Sequence, residues 1–306
     1  MDKVLKIRPY ARLITMLGDQ LIKNERIALV ELIKNAYDAD AEWVKVSFLN
    51  FNDDFTVNSD SKIVIEDDGN GMNEQIIEKH WLNPATPEKK KRKKIKETTD
   101  KGRILQGEKG IGRFAIFKLG KKISIYTRRQ KWDNKDKKFI EGGEDVENIV
   151  EYDFSAYDED FLEKNGEETE LYIDELQVVF HQRTPQIIVD KDVELGGIVR
   201  KRKPHGTIIE IADLKTNWTE NRVNQIQKEI GKLQPIFSEE QKIDFRVWIY
   251  KDLEVHRSNE LYREKLLNCL NSKAVLKITH GFYKEKEKTF SFEFNGKQKN
   301  VCIADL

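Results

Sequence analysis

Glu31, Asn35 and Asp38 sit four and three residues apart in the stretch RIALVELIKNAYDADA, Arg26 to Ala41. At about 100° per residue of helix they fall within roughly 40° of one another, while Leu29, Leu32, Ile33 and Ala36 lie on the opposite side. A carboxylate one turn before a carboxamide, carried by a helix with an apolar anchor, is suited to holding a water and a hard cation that needs oxygen ligands. The same spacing also describes an ordinary solvated polar face.

Two glycine-bearing segments add to this set. KIVIE, Lys62 to Glu66, delivers Asp67, Asp68, Gly69, Asn70, Gly71 and Met72 into a turn. Glycines there permit backbone angles and close approaches that a side chain forbids, and a carboxylate fixed at the strand end can accept a hydrogen bond from an exocyclic amine such as that of adenine. An ordinary Asp/Gly turn has the same composition. In GEKGIGRFAIFKL, Gly107, Gly110 and Gly112 precede a helix, so backbone N–H groups and the helix start can converge on an anion, with Lys109 and Arg113 adding charge. That favours a polyphosphate, although the GxxxxGK[ST] pattern of a P-loop is absent. Thr207 opens the strand Ile208 to Ile211 and is either a plain β-former or a hydroxyl that serves a bound base through a water.

The elements that must position these residues are legible in outline. Tyr10 to Leu21 reads as a short helix broken near Gly18 and Asp19, and Asn24 as the N-cap of the polar helix. Trp43, Val44, Val46 and Phe48 mark a strand, and Asn50 to Ser61 a loop. From Asn73 to Gln106 a short helix with Trp81 leads into a loop in which seven of the eight residues from Lys89 to Lys96 are basic. Such a run repels itself, and reads either as a mobile cationic cover or as a solvated charge run. Lys121 to Arg128 is expected as a strand, Gln130 to Glu147 as a charged loop, and Tyr152 to Ser155 and Ile187 to Val189 as short strands. Asn217 to Phe237 and Glu260 to Leu270 have helical spacing. Lys242 to Tyr250, Ala274 to Tyr283 and Thr289 to Phe294 read as strands.

Composition bounds the answer from outside. Lys plus Arg equals Asp plus Glu at 54 each over 306 residues, so whole-chain charge predicts neither nucleic-acid nor membrane binding. Cys269 and Cys302 have no CxxC spacing, which argues against zinc or a disulfide framework. Without an apolar leader or a run of about 18 apolar residues, the expectation is a soluble cytoplasmic protein with no membrane partner. The chain stops at Leu306 with no closing signal, as a piece of a longer protein would.

Taken in order, ELIKNAYDADA, DDGNGM and GEKGIGRFA resemble the N, G1 and G2 boxes of the GHKL ATPases. That superfamily includes type II topoisomerase ATPase domains, ninety-kilodalton heat-shock chaperones, sensor histidine kinases, MutL and MORC proteins. The resemblance spans Glu31 to Ala115 and, with the HGT strand, reaches Ile211. It implies an α+β Bergerat fold: a two-layer sandwich of a mixed, mostly antiparallel sheet covered by helices. The ATP-binding domain would run over 1–216 with a lid about 73–106, and 217–306 would begin a second, transducer-like α/β region. By resemblance Glu31 is the general base, and Asn35 the Mg²⁺ ligand with Asp38 in support. Asp67 binds the adenine amine, Gly69, Gly71 and Met72 shape the base pocket, Lys109, Gly110, Ile111, Gly112, Arg113 and Phe114 wrap the phosphates, and Thr207 supports the base. The cofactors implied are ATP and Mg²⁺. The KGIGRF box is closer to MORC-like, chaperone-like and MutL-like members than to kinases. An ATP-driven homodimer is the expected form, with an ATP-gated nucleic-acid clamp working through Lys89 to Lys96, or a chaperone-like client-binding module, as alternatives.

Overall fold

The computed structural model describes residues 7–83, 98–106, 112, 115–231, 245–259, 272, 278–285, 287–294 and 296–302. The chain divides into two units, Met1–Asn259 and Glu260–Leu306.

Helix α1 (Arg12–Leu21) precedes α2 (Glu25–Asp38), whose first turn is capped by Asn24: its side-chain oxygen accepts the Ile27 N–H at 3.0 Å. Helix α1 continues through Gly18 and Asp19, where the sequence placed a break. Ala28, Leu29, Val30, Leu32, Ile33 and Ala36 of α2 are buried, and Asp40, with φ of 60°, turns the chain out of the helix. The chain then forms β1 (Trp43–Leu49) and β2 (Lys62–Asp67), the short helix α3 (Glu74–Ile76) with a π-helical continuation to Trp81, and α4 (Ala115–Leu119). Next come β3 (Gly120–Arg128), the ribbon β4 (Gln130–Asp133) and β5 (Lys138–Gly143), β6 (Glu147–Asp153), the hairpin β7 (Glu163–Lys164) and β8 (Glu167–Glu168), and β9 (Val179–Arg183). A second ribbon, β10 (Lys191–Leu195) and β11 (Ile198–Arg202), precedes β12 (Gly206–Leu214), α5 (Glu220–Ile230), β13 (Arg246–Lys251) and β14 (Glu254–Val255).

Eight strands form one sheet in the order β14-β13-β1-β2-β12-β3-β6-β9. Each neighbouring pair is antiparallel except β1 with β13. Alternation sets which side faces the helices: along β2, Ile63, Ile65 and Asp67 are buried and the residues between them half-buried. The core joins these to Leu29, Ile33, Ile116, Ile123, Ile211 and Val223. Each fully buried aliphatic side chain contributes about 1.5–3 kcal/mol of burial. The architecture is the α+β sandwich the sequence implied, with α4 and α5 each packed on α2. In the second unit, β15 (Ile278–Lys284), β16 (Thr289–Phe294) and β17 (Lys297–Cys302) form an antiparallel sheet. Among the described residues no helix is long and apolar enough to cross a membrane.

Several local expectations give way. Residues 130–147 hold the β4–β5 ribbon, where Trp132 and Phe139 pair across the strands with their rings 4.9 Å apart. Ile187–Val189 is not a strand, because the buried Glu147 carboxylate accepts the Ile187 and Ile188 N–H groups at 3.1 and 2.6 Å and removes the donors a ladder needs. Those bonds and the Arg183 guanidinium hold the Glu147 carboxyl below its usual range against the opposing effect of burial. The chain divides into compact units at 259/260, and within the first unit Trp218 is buried against Phe48, α5 packs on α2, and β13 pairs with β1. The expected helix Glu260–Leu270 and the basic run Lys89–Lys96 lie outside the described residues.

Trp218→Ala therefore removes a core side chain of the first unit. Its expected cost is about 3–5 kcal/mol, read as a lower urea midpoint at unchanged slope.

Candidate functional site

Helix α2 brings Glu31, Asn35 and Asp38 to its half-buried polar side, as its period requires. Glu31 Oε1 accepts from Lys34 Nζ at 2.7 Å. Its other oxygen faces the glycine loop: a β-carbon at Gly112 would lie 3.3 Å from Glu31 Oε2 and 3.9 Å from Asn35 Nδ2. Gly112, which has no side chain, thus approaches the polar side of α2. Asp38 Oδ1 accepts the Gln106 N–H at 2.8 Å. Lys109, Gly110, Ile111, Arg113 and Phe114 lie outside the described residues.

Asp67 ends β2 in register with Thr207 of β12, and its Oδ1 accepts the Gly69 N–H at 2.8 Å. Burial pushes the Asp67 carboxyl up to about 7, against the Gly69 N–H bond, which favours the charged form. Asp68, its neighbour, has a different task. Its Oδ1 accepts the Glu42 and Trp43 N–H groups at 2.7 and 3.0 Å, and Lys203 lies 3.3 Å from its Oδ2, so it ties the end of β2 to the start of β1.

The turn after Asp67 is packed backbone against backbone. Gly71 has φ of 62°, and a β-carbon there would sit 2.0 Å from the Arg128 carbonyl oxygen. At Gly69 it would meet the Ala39 carbonyl oxygen at 2.9 Å. The Met72 N–H donates to Thr127 Oγ1 at 2.8 Å, and Thr127 Oγ1 lies 3.1 Å from both the Gly206 carbonyl oxygen and Thr207 Oγ1. Buried Thr127 thus joins the turn to the strand that carries Thr207. His205, whose pKa burial lowers, meets the Gly69 carbonyl oxygen through Nδ1 at 2.8 Å, which makes Nδ1–H the donor.

A cavity of about 280 Å³ has Asn35, Asp38, Gly71, Met72, Trp81 and Arg129 in its wall. Two of the three boxes therefore meet around one space, and Gly112 brings the third against Glu31 and Asn35. Asp67 and Thr207 do not line this cavity; the Met72–Thr127–Thr207 bonds connect them to its wall.

Thr127, His205 and Arg103 escaped the sequence reading. Buried Arg103 donates to the Ala41 and Tyr37 carbonyl oxygens at 2.7 and 3.2 Å, and Thr99 Oγ1 donates to Asp40 at 2.5 Å. Residues 98–106, assigned from sequence to a lid, are thereby fastened to the end of α2. Only the His–Gly–Thr order around Gly206 could have flagged His205; a threonine inside a β-rich run and an arginine in a basic segment carry no signal.

The family model for the histidine kinase-, DNA gyrase B- and HSP90-like ATPases matches residues 23–169. The chaperone protein HtpG of Wigglesworthia glossinidia brevipalpis is 28% identical over 187 residues, 55% of this chain and 28% of the chaperone. The chain therefore aligns with little more than a quarter of that relative. Three boxes in order on a mixed sheet, the family-model match over residues 23–169 and the likeness to HtpG together support membership of the GHKL ATPase superfamily.

Proposed function

We propose that this chain binds ATP with Mg²⁺ and hydrolyses it, using the nucleotide to order a lid and to form a homodimer as the ATPase module of a larger conformational switch. The observation that carries this reading is the meeting of Glu31 and Asn35 at Gly112, while Asn35 shares a cavity wall with Gly71 and Met72. One carboxylate and one carboxamide beside Gly112, which has no side chain, fit a phosphate chain and its metal. Mg²⁺ keeps several waters and takes few protein ligands, so Asn35 alone is a sufficient protein contribution, and the metal would supply charge neutralisation at the phosphate oxygens.

The protein's own groups do the rest. Glu31 Oε2 takes the proton of the attacking water. Asp38 supports the Asn35 end of α2, and Asp67 accepts from the adenine amine, with Gly69, Gly71 and Met72 shaping the surface under the base and Thr207 assisting from β12. Lys109, Gly110, Ile111, Arg113 and Phe114 complete the phosphate loop in this reading. A chaperone-like role with slow turnover is the second reading, favoured by the likeness to HtpG; client binding that persists in a turnover-dead variant would select it. For Lys89–Lys96, DNA and RNA titrations at two salt concentrations decide whether nucleic acid binds, because backbone binding falls steeply with salt.

Glu31→Ala is expected to lower ATP turnover by ~10²–10⁴-fold with nucleotide binding kept. Equal turnover in wild type and variant removes Glu31 from the chemistry. Asp67→Asn is expected to weaken ATP binding by about 1–3 kcal/mol in calorimetry.

The raised Asp67 carboxyl gives a pH signature. A carboxyl whose folded pKa lies above its unfolded value stabilises the fold fully below the unfolded pKa of 3.8, and that contribution is lost as pH rises through about 7. Adenine binding draws on the charged form, so the melting-temperature gain on adding ATP should grow between about pH 6 and about pH 8. Asp67→Asn should flatten that growth.

A further inference from the structure

Among the polar contacts of helix α2 that the ATPase reading leaves unused is the pair of Lys34 with Glu31. Lys34 Nζ lies 2.7 Å from Glu31 Oε1, and both side chains are little more than a quarter exposed. On the helix, Lys34 is about 60° to one side of Glu31 and Asn35 about 40° to the other. The ammonium therefore pulls on the carboxylate from the flank away from Asn35. Its hold is on Oε1 alone, and Oε2 is the atom that faces Gly112 at 3.3 Å from where a β-carbon would stand.

We propose that Lys34 is a positioning residue for hydrolysis: by fixing Glu31 Oε1 it turns Oε2 toward the phosphate loop. The proposal rests on Glu31 acting as the base. A glutamate has three side-chain torsions, and an unheld carboxylate spends most of its time in rotamers that point elsewhere. A lysine three residues on is placed to select one of them while leaving the Asn35 side open. A pair that served only helix stability would leave the chemical step untouched, so the two roles separate in kinetics.

The test uses steady-state ATP hydrolysis at saturating Mg²⁺, with ATP affinity measured separately by calorimetry. Lys34→Met is expected to lower kcat about tenfold, with KM and ATP affinity within about threefold of wild type. Lys34→Arg restores most of the loss, because a guanidinium also reaches Oε1. In a Glu31→Gln background, Lys34→Met produces no further loss, since the residue it positions is already disabled. Both side chains are little more than a quarter exposed, and thermal melting confirms that each variant folds. Wild-type kcat in Lys34→Met, in a protein whose turnover Glu31→Gln lowers by ~10²–10⁴-fold to a still measurable rate, overturns the positioning role and leaves the ATPase reading standing. An undiminished tenfold loss in the Glu31→Gln background overturns it as well, by showing that Lys34 acts independently of Glu31. A wild type without turnover overturns both readings together.

Discussion

The site depends on a place where backbones touch and no side chain fits. At the end of β2 the turn lies so close to β3 and β12 that a β-carbon on Gly71 would meet the Arg128 carbonyl oxygen at 2.0 Å, and one on Gly206 would meet the Asp67 carbonyl oxygen at 2.2 Å. Gly206 also has φ of 127°, a region that disfavours any other residue. These approaches let one buried hydroxyl, that of Thr127, reach the Met72 N–H, the Gly206 carbonyl and the Thr207 hydroxyl at once. With Thr127 fully buried at the centre of that network, Asp67 is held beside Thr207 by geometry that its own charge opposes.

The second support is the end of α2. Asp40 leaves the helix in a left-handed conformation and accepts from Thr99, while Arg103 satisfies the Ala41 carbonyl and lies over the Tyr37 ring, 4.8 Å from its centre. A buried guanidinium is costly without such partners. Here it fills the acceptors that a helix terminus leaves open. Half-buried Asp38 thereby gains a partner in the Gln106 backbone. Helix α2 is consequently fixed from both ends, by Asn24 at the start and by the 98–106 segment at the finish.

What could be read in the sequence was whatever has a period or a punctuation mark. The helix from Arg26 shows its two sides in the spacing of Leu29, Leu32, Ile33 and Ala36, and all four are buried as expected. KIVIE and its glycines mark a strand followed by a turn, and so they are. The β4–β5 ribbon did not show, because its strands are rich in charge and its Trp132–Phe139 pair is formed across strands rather than along one. Ile187–Val189 misled for the opposite reason: β-branched residues there are held by a distant glutamate. The compact boundary at 259/260 was hidden because the partner of β13 is β1, and pairing between such remote segments leaves no local trace. Of the site, the charged and glycine residues were legible by type, whereas Thr127 and His205 matter only through where the sheet puts them.

That remote pairing also has a consequence for how the protein is made. Strand β1 takes its place early in the chain, and its outer neighbour β13 begins only at Arg246. At a synthesis rate of about 5–20 residues per second, the outer edge of WVKVSFL waits on the order of 10–40 s for its neighbour. An uncovered strand edge of that kind is a template for strands from other chains. The nascent protein is therefore most exposed to association with its own copies in the interval before β13 emerges.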